Sequence, residues 1–416
     1  MTVFAMLGGS KTTAVEGARA ELNLTAYLRA VRKQLGMDIA FIGEFEHGRR
    51  VFRYVDTDEA QCPAVVGHSD MLEATYCQRV VDGRLPGFMR DTRDYPEAMK
   101  LAVTEALPVG SYLGVPLRLA DGKVFGTVCC FSHAVRPGLE PVALETLEMF
   151  AEMVVTEISA MLRQREMVAE KTARVREILD KRALRILYQP IIRLWQNELV
   201  GFEALSRFPE LPAQRPDVWF ADAQEAGLGM QLELAAIELA LAGLERLPDD
   251  VDVRINASPG LVISGVLAGA MAGYAPERIV LEVTEHEPVS DYPAFLATLA
   301  PLRARGMRLA VDDAGAGHAT LRHILKLRPD IIKLDISLIR DIDRDRYKSA
   351  LAAALIRFAL ETEAEIVAEG IESLGELNLL RGLGAHAGQG NYLGGPLPLE
   401  QAAMMVRGVS ARSSVV

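Results

Sequence analysis

The chain has 416 residues, 50% of them hydrophobic and 24% charged, and a formal net charge of −11. That length exceeds what one hydrophobic core usually serves, so two domains are expected. The acidic balance, with no window that concentrates Lys and Arg, excludes a nucleic acid polymer as partner, and no uncharged apolar run reaches the length of a membrane span.

The first segment, MTVFAMLGGSKTTAVEG, has an apolar start but no leading positive charge and no long apolar core. It reads as a flexible tail over residues 1–20 rather than a leader, and places the protein in the cytoplasm, away from the membrane. The four cysteines, Cys62, Cys77, Cys129 and Cys130, show no metal-ligand spacing and are expected as reduced, mostly buried thiols. Strand alternation sends the adjacent pair in TVCCF to opposite faces.

Residues 21–163 mix two periodicities. An amphipathic helix, LTAYLRAVRKQL, leads into the strands DIAFIGEF and RRVFRYV. Later, YLGVPLRLADGKVFGTVCCF carries Asp121-Gly122 between two apolar runs, a strong hairpin signal. These elements make an α+β domain with an antiparallel sheet. In its order of elements, ending on GVPL, the Asp-Gly turn, FGTVCCFS and a long helix, the segment resembles a GAF sensor domain. The resemblance implies a small-molecule ligand or plain dimerisation. Tyr76, Cys77, Gln78, His68 and His133 are the candidate ligand contacts; each can equally be a packing or surface residue.

From Leu144 apolar residues fall at Leu147, Ala151, Val154, Ile158, Met161, Val168, Val175 and Leu179, with Arg165 and Thr172 at two further positions of the same stripe. This three-four alternation is a heptad seam, predicting a connecting helix over residues 141–182 that pairs with its copy in a homodimer. At 1.5 Å per residue the helix extends on the order of 50 Å, too far for one small domain to cover. The alternative is that its first half packs on the sensor sheet and its second half is a solvated linker.

Beyond residue 183 short apolar stretches run repeatedly into a polar residue: LYQ, GFEA, VRIN, VLEVTE, LAVDD, IIKLD, IVAE and GQG. Each has the length and branching of a buried parallel strand, and a closed barrel of such strands gathers the strand ends at one mouth. Glu203, Asn256, Glu282, Asp312, Asp313, Lys333, Glu369 and Gln389 then converge. Carboxylates packed so closely repel one another and call for divalent cations among them. The oxygen-rich donor set suits Mg²⁺ or Mn²⁺ rather than zinc.

The motifs GFEALSR, INASP, LEVTE, VDDAGAG, IKLD, VAEGIE and GQGNYLGGPLP, in this order over residues 183–409, resemble an EAL-type cyclic di-GMP phosphodiesterase. The resemblance implies an α/β modified TIM barrel and hydrolysis of cyclic di-GMP to linear pGpG by a two-metal mechanism. It implies that Glu203, Asn256, Glu282 and Asp312 hold one ion and that Asp312, Asp313 and Glu369 hold the other. Glu203, Lys333 and Glu369 are the implied catalytic groups, Lys333 beside the attacking water. Gln189, Leu205, Arg207, Asp335 and Gln389 are the implied nucleotide contacts, and Glu285 anchors the loop after the paired aspartates. That loop departs from the family's D-D-F-G-x-G-x-S-S: here it reads Asp312-Asp313-Ala314-Gly315-Ala316-Gly317-His318-Ala319-Thr320. No metal ligand is lost, but the aromatic and one serine are, and the resemblance implies that this loop couples the metal site to the barrel's dimer interface. A receptor that binds the nucleotide in the same pocket without turnover is the competing reading. Residues 410–416 read as a tail.

Overall fold

The computed structural model describes residues 11–60, 62, 64–208, 214–283, 289–315 and 318–413. Glu285 lies outside the described residues, as does part of the loop after Asp313, and with them the expected anchoring. Residues 11–20, expected in a tail, begin the helix Lys11–Leu35, and the helix Leu399–Ser413 runs into the expected C-terminal tail. The chain divides into two compact units, Gly9–Glu170 and Lys171–Val416.

The first unit is an antiparallel sheet of six strands: β1 (Ile39–Glu46), β2 (Arg49–Thr57), β3 (Ser69–Met71), β4 (Phe88–Met89), β5 (Ser111–Arg118) and β6 (Val124–Ser132), in spatial order β3-β2-β1-β6-β5-β4. The Asp-Gly turn joins β5 to β6 with Gly122 at φ 84°, a value glycine adopts without a steric penalty. One face of the sheet packs Ile42, Leu113, Val128 and Cys130 under Leu24 and Leu28 of the first helix and Leu147, Ala151, Val154 and Ile158 of the helix Val142–Lys181. The other face packs Phe41, Phe52, Tyr112 and Cys129 under Tyr76 and Cys77 of the short helix Tyr76–Val81. The two adjacent cysteines do face opposite ways.

The heptad seam is therefore largely covered within the chain itself. In the second unit Val175 and Ile178, on the last turns of the same long helix, are buried with Trp219, Ala223 and Leu232 of the helices Pro216–Glu225 and Gly229–Ala242. Lys171 pairs there with Asp222 at 2.8 Å, so this end is not a solvated linker either. The repeat identifies which side chains are apolar; it does not identify what covers them.

The second unit is a closed barrel of β7 (Arg185–Arg193), β8 (Glu198–Arg207), β9 (Asp252–Asn256), β10 (Ile279–Val283), β11 (Arg308–Ala314), β12 (Ile331–Leu334), β13 (Glu365–Ala368) and β14 (Ala387–Gly388), with β14 closing on β7. All neighbours are parallel except that β7 runs antiparallel to both β8 and β14. This corrects the reading of LYQ as a parallel strand. Only residues 194–197 separate β7 from β8, with Asn197 at φ 55° in the turn; a parallel partner would need a crossover of a dozen residues or more. Inside the barrel Ile191, Val280, Ala310, Ile331, Val367 and Ala387 form one small apolar layer beneath the polar mouth. The outward residues join a single large core with the surrounding helices. Among the described residues no helix is long and apolar enough to cross a membrane.

Candidate active site

Strand register sets the level of the polar residues. Glu203 of β8 lies opposite Gln189 of β7 and Arg254 of β9, and Glu282 of β10 lies opposite Asn256 of β9 and Ala310 of β11. Lys333 is on β12, whose pairing with β11 slips between Val311 and Ala314. Strict alternation would separate Asp312 from Asp313. The slip, with Asp313 at φ 58°, a left-handed conformation that Asp tolerates better than most residues, bends the strand end there, and the Asp313 amide donates to Asp312 Oδ1 at 2.9 Å.

The centre of the mouth is Lys333, fully buried. Its ammonium donates to Glu282 at 2.6 Å and Asp312 at 3.0 Å, and forms ion pairs with Glu369 at 2.7 Å and Glu203 at 3.5 Å. Asn256 Nδ2 lies 3.4 Å from Glu203 Oε1, and Gln389 Nε2 donates to Glu203 Oε2 at 2.5 Å and to Glu369 at 3.3 Å. Gln389 comes from the GQG turn, where Gly390 allows the chain to pass close to Ile371: a Cβ at Gly390 would collide with the Ile371 backbone.

The charges strain one another. Burial raises the Glu282 carboxyl to about 8 against the pull of Lys333, with Glu203 and Asp312 adding to the rise. Burial likewise drives Glu369 well above the carboxylate range despite Lys333. Burial opposes the charge on Lys333, yet the four carboxylates outweigh it and hold the ammonium well above its usual value. Glu203 comes out lowered, burial being outweighed by Lys333 and the Gln389 and Asn256 amides. Glu282 Oε1 and Gln389 Oε1 are buried without a hydrogen-bond partner, acceptors that the described residues do not complete.

The donor set fits hard cations. Glu203, Glu282 and Asp312 each offer an oxygen within 4.8 Å of the others, and so do Asp312, Asp313 and Glu369, with Asp312 in both groups. All the donors in these two groups are oxygens, as Mg²⁺ and Mn²⁺ prefer.

The expected nucleotide contacts are less uniform. Gln189 Nε2 donates to the Gly394 carbonyl at 3.2 Å, tying the first strand to the GQG segment. Half-buried Arg207 donates to the Ser206 carbonyl at 2.8 Å, and Leu205 is half-buried beside it. Asp335 caps the helix Ile336–Ile339: its Oδ1 accepts from the Ser337 amide at 2.8 Å and from the Ser337 hydroxyl. That carboxylate is already engaged in holding the end of β12. Gln389 turns inward to the carboxylates rather than outward. Arg254, for which the sequence raised no expectation, is 1% exposed; its Nε forms an ion pair with Asp252 at 3.5 Å, and Nε and Nη1 make no hydrogen bond. Its signal was in VRIN all along: two positions before Asn256 on a strand is the same inward face.

In the sensor unit, Tyr76 stacks on Tyr112 with centroids 4.8 Å apart and its hydroxyl meets Thr104 Oγ1 at 2.7 Å, while Cys77 is buried beside it. His68 is exposed, and the Gln78 side chain reaches Asp82 at 3.3 Å. His133 pairs with Glu59 at 3.0 Å. None of these five lines the cleft of about 350 Å³ that Glu44, Arg53, Tyr54, Phe125, Ile158 and Arg165 border on the other face of the sheet.

Residues 172–396 match the EAL domain family and residues 20–158 the GAF domain family. Over 239 residues the chain is 29% identical to the bifunctional diguanylate cyclase/cyclic di-GMP phosphodiesterase MucR of Pseudomonas aeruginosa, a match covering 55% of this chain and 35% of MucR. It is 31% identical over 238 residues to the probable cyclic di-GMP phosphodiesterase PdeB of Escherichia coli, covering 55% of this chain and 45% of PdeB. The chain thus spans less than half the length of these curated relatives. Among solved structures, a MucR phosphodiesterase in complex with c-di-GMP is similar at 29% identity and a TM-score of 0.50, over 56% of this chain and 99% of that one. The EAL enzyme Bd1971 shares the fold at 17% identity and a TM-score of 0.56, over 89% of this chain.

Proposed function

From the premise that the chain belongs to the EAL domain family and carries a GAF domain before it, we propose that it hydrolyses cyclic di-GMP to linear pGpG with the help of two divalent cations. The observation that carries this reading is the gathering of Glu203, Glu282, Asp312 and Glu369 around the Lys333 ammonium, with Asp313 and Asn256 at its border. Glu203, Asn256, Glu282 and Asp312 would hold one Mg²⁺ or Mn²⁺, and Asp312, Asp313 and Glu369 the other. Such ions supply water activation at neutral pH and offset charge on the phosphoryl oxygens.

The chain's own side chains do the rest. Lys333, positive and fixed by three carboxylates, orients the attacking water and offsets charge developing at phosphorus. Gln389 and Asn256 hold Glu203 in place by donating to its two oxygens. Arg207 presents a guanidinium that can pair with two phosphate oxygens at once. Gln189 and Leu205 border the nucleotide, and Asp335 serves the site by capping the helix that follows Lys333. The acidic protein attracts an anion through local donors and cations, not through its net charge.

Regulation is the second part of the reading. The sensor unit, responding to a small molecule, biases the barrel through the Val142–Lys181 helix in a homodimer. That helix leaves Val142, Met149, Met153 and Met167 exposed, the face a second copy would cover.

The test is incubation of the purified full chain with cyclic di-GMP and Mg²⁺ or Mn²⁺, followed by chromatography for pGpG. Product that vanishes with chelator and returns with metal is expected. Tight nucleotide binding without product, in protein carrying metal, would replace the enzyme with a receptor.

A further inference from the structure

Two cysteines that the proposed reaction does not use meet in the sensor core. Cys77, on the helix Tyr76–Val81, and Cys129, on β6, are 52 positions apart in sequence, and their sulfurs stand 3.8 Å apart. They are 1% and 0% exposed. A disulfide needs about 2.05 Å between sulfurs, so closure asks for a shift of under about 2 Å.

The surroundings differ from those of inert core thiols. Arg50 brings Nη1 to 3.9 Å from the Cys77 sulfur, while its guanidinium lies 3.6 Å from the centroid of the Phe52 ring. Another arm of the same guanidinium pairs with Asp70, and Arg50 Nε is buried without a partner. On the other side, the Tyr112 hydroxyl donates to the Cys129 sulfur at 3.0 Å and Thr127 Oγ1 lies 3.2 Å from it. Hydrogen bonding from Cys129 holds the Cys77 thiol below its usual range against the effect of burial, with Arg50 adding to the fall, whereas burial pushes Cys129 well up. One sulfur stands beside a cation; the other lies within contact of it and accepts from the Tyr112 hydroxyl. Cys130, one residue on and facing the opposite core, is pushed up to about 12 by burial.

We propose that Cys77 and Cys129 are an oxidative modification site, converted by hydroperoxide into a disulfide that ties the Tyr76–Val81 helix to β6. The Cys77 thiolate attacks one peroxide oxygen; the O–O bond breaks, leaving Cys77 as a sulfenic acid and releasing hydroxide, which leaves as water. The Cys129 sulfur then attacks the Cys77 sulfur. The S–O bond breaks, and the departing hydroxide takes up the Cys129 proton as a second water. The two sulfurs together lose two electrons and the peroxide gains them.

The experiment treats the full chain with a small excess of hydrogen peroxide, quenches it, and alkylates the remaining thiols in denaturant. Thiols per chain should fall from four to two, with the intact mass before alkylation lower by two hydrogens. Peptide mapping should join Cys77 to Cys129, and dithiothreitol should reverse the change. Cys62→Ser should keep the link, and in Cys129→Ser the Cys77 sulfenic acid should accumulate and be trapped by dimedone. A count that stays at four, a link through Cys62 or Cys130, or a link between chains would overturn the proposal, and the unsubstituted chain alone decides among these. Absence of dimedone adduct in Cys129→Ser would overturn the stated order of attack.

Discussion

The barrel mouth and the helix-covered face of the sensor sheet both bury polar groups in apolar walls, and they resolve the cost in opposite ways. At the mouth, like charges are pressed together around one ammonium, and buried acceptors on Glu282 and Gln389 remain unpartnered. In the sensor, aromatic rings fill the space: Tyr76 lies on Tyr112, its hydroxyl satisfied by Thr104, and Arg50 spreads over Phe52. The first arrangement is finished by something added, whereas most of the second is finished by its own side chains. Unpaired buried polar groups cost free energy, and at the mouth a bound cation can repay that cost.

The comparison breaks most sharply at the metal ligands. Glu203→Ala should lower pGpG formation by at least about a hundredfold, beyond what loss of outer-shell support alone causes, and should lower bound metal measured on the same sample. Full turnover with full metal content would remove Glu203 from the ligand set. An equal effect from Tyr76→Ala in the sensor would show that the two regions are not built on different terms.

Lys333→Met tests whether the ammonium serves both structure and chemistry. With metal, turnover should fall by roughly 10²–10³, the usual consequence of losing a donor aimed at transition-state charge. In chelator, the loss of the shared cation among four buried carboxylates should cost about 3–5 kcal/mol in urea unfolding. Metal should restore part of that stability by mass action. Unchanged stability without metal would mean that the carboxylates share protons and do not need the lysine.

A smaller effect is expected at the nucleotide. Arg207→Ala should raise KM by about tenfold or more, corresponding to one lost charged hydrogen bond of roughly 1.5–3 kcal/mol, while kcat changes less. A kcat loss with KM unchanged would move Arg207 from binding to chemistry.

The same contrast governs how much was legible in the sequence. Strand-end carboxylates can be read because a period of two and a barrel's geometry fix where they point, so Glu203, Asn256, Glu282, Asp312, Lys333 and Glu369 group together from sequence alone. The direction of β7 is readable too, from the four residues 194–197, but the parallel pattern of the other stretches overrides it. The engagement of Asp335 as a helix cap is readable as an Asp before a helical start, but the resemblance assigns it to the nucleotide instead; the inward turn of Gln389 depends on backbone geometry that no local pattern encodes. The long helix shows the other limit: its stripe is correct as a set of apolar residues, and its partner proves to be the chain's own cores. In the sensor, packing gives every residue a plausible role, so a ligand contact and a core residue look alike in sequence.

His133 is a titratable group of the sensor that should respond weakly and in a defined direction. Its Nδ1 faces the Leu107 carbonyl at 3.0 Å and the Pro108 carbonyl at 3.2 Å, and its Nε2 faces Glu59 at 3.0 Å. Only the doubly protonated ring donates on both sides. Burial opposes that charge, but Glu59 and the carbonyls outweigh it and raise the pKa above the ordinary histidine value. A raised folded pKa means that the stabilisation is fully present below the unfolded value of about 6.5 and is lost as pH rises through the folded value. The melting temperature of the sensor unit in the full chain should therefore fall over that window in the native sequence and fall less in His133→Gln. The half-buried position, open to solvent on one side, keeps the change small. A decline of equal size in both proteins would assign the pH response to another group and leave His133 as a packing residue beside Phe131.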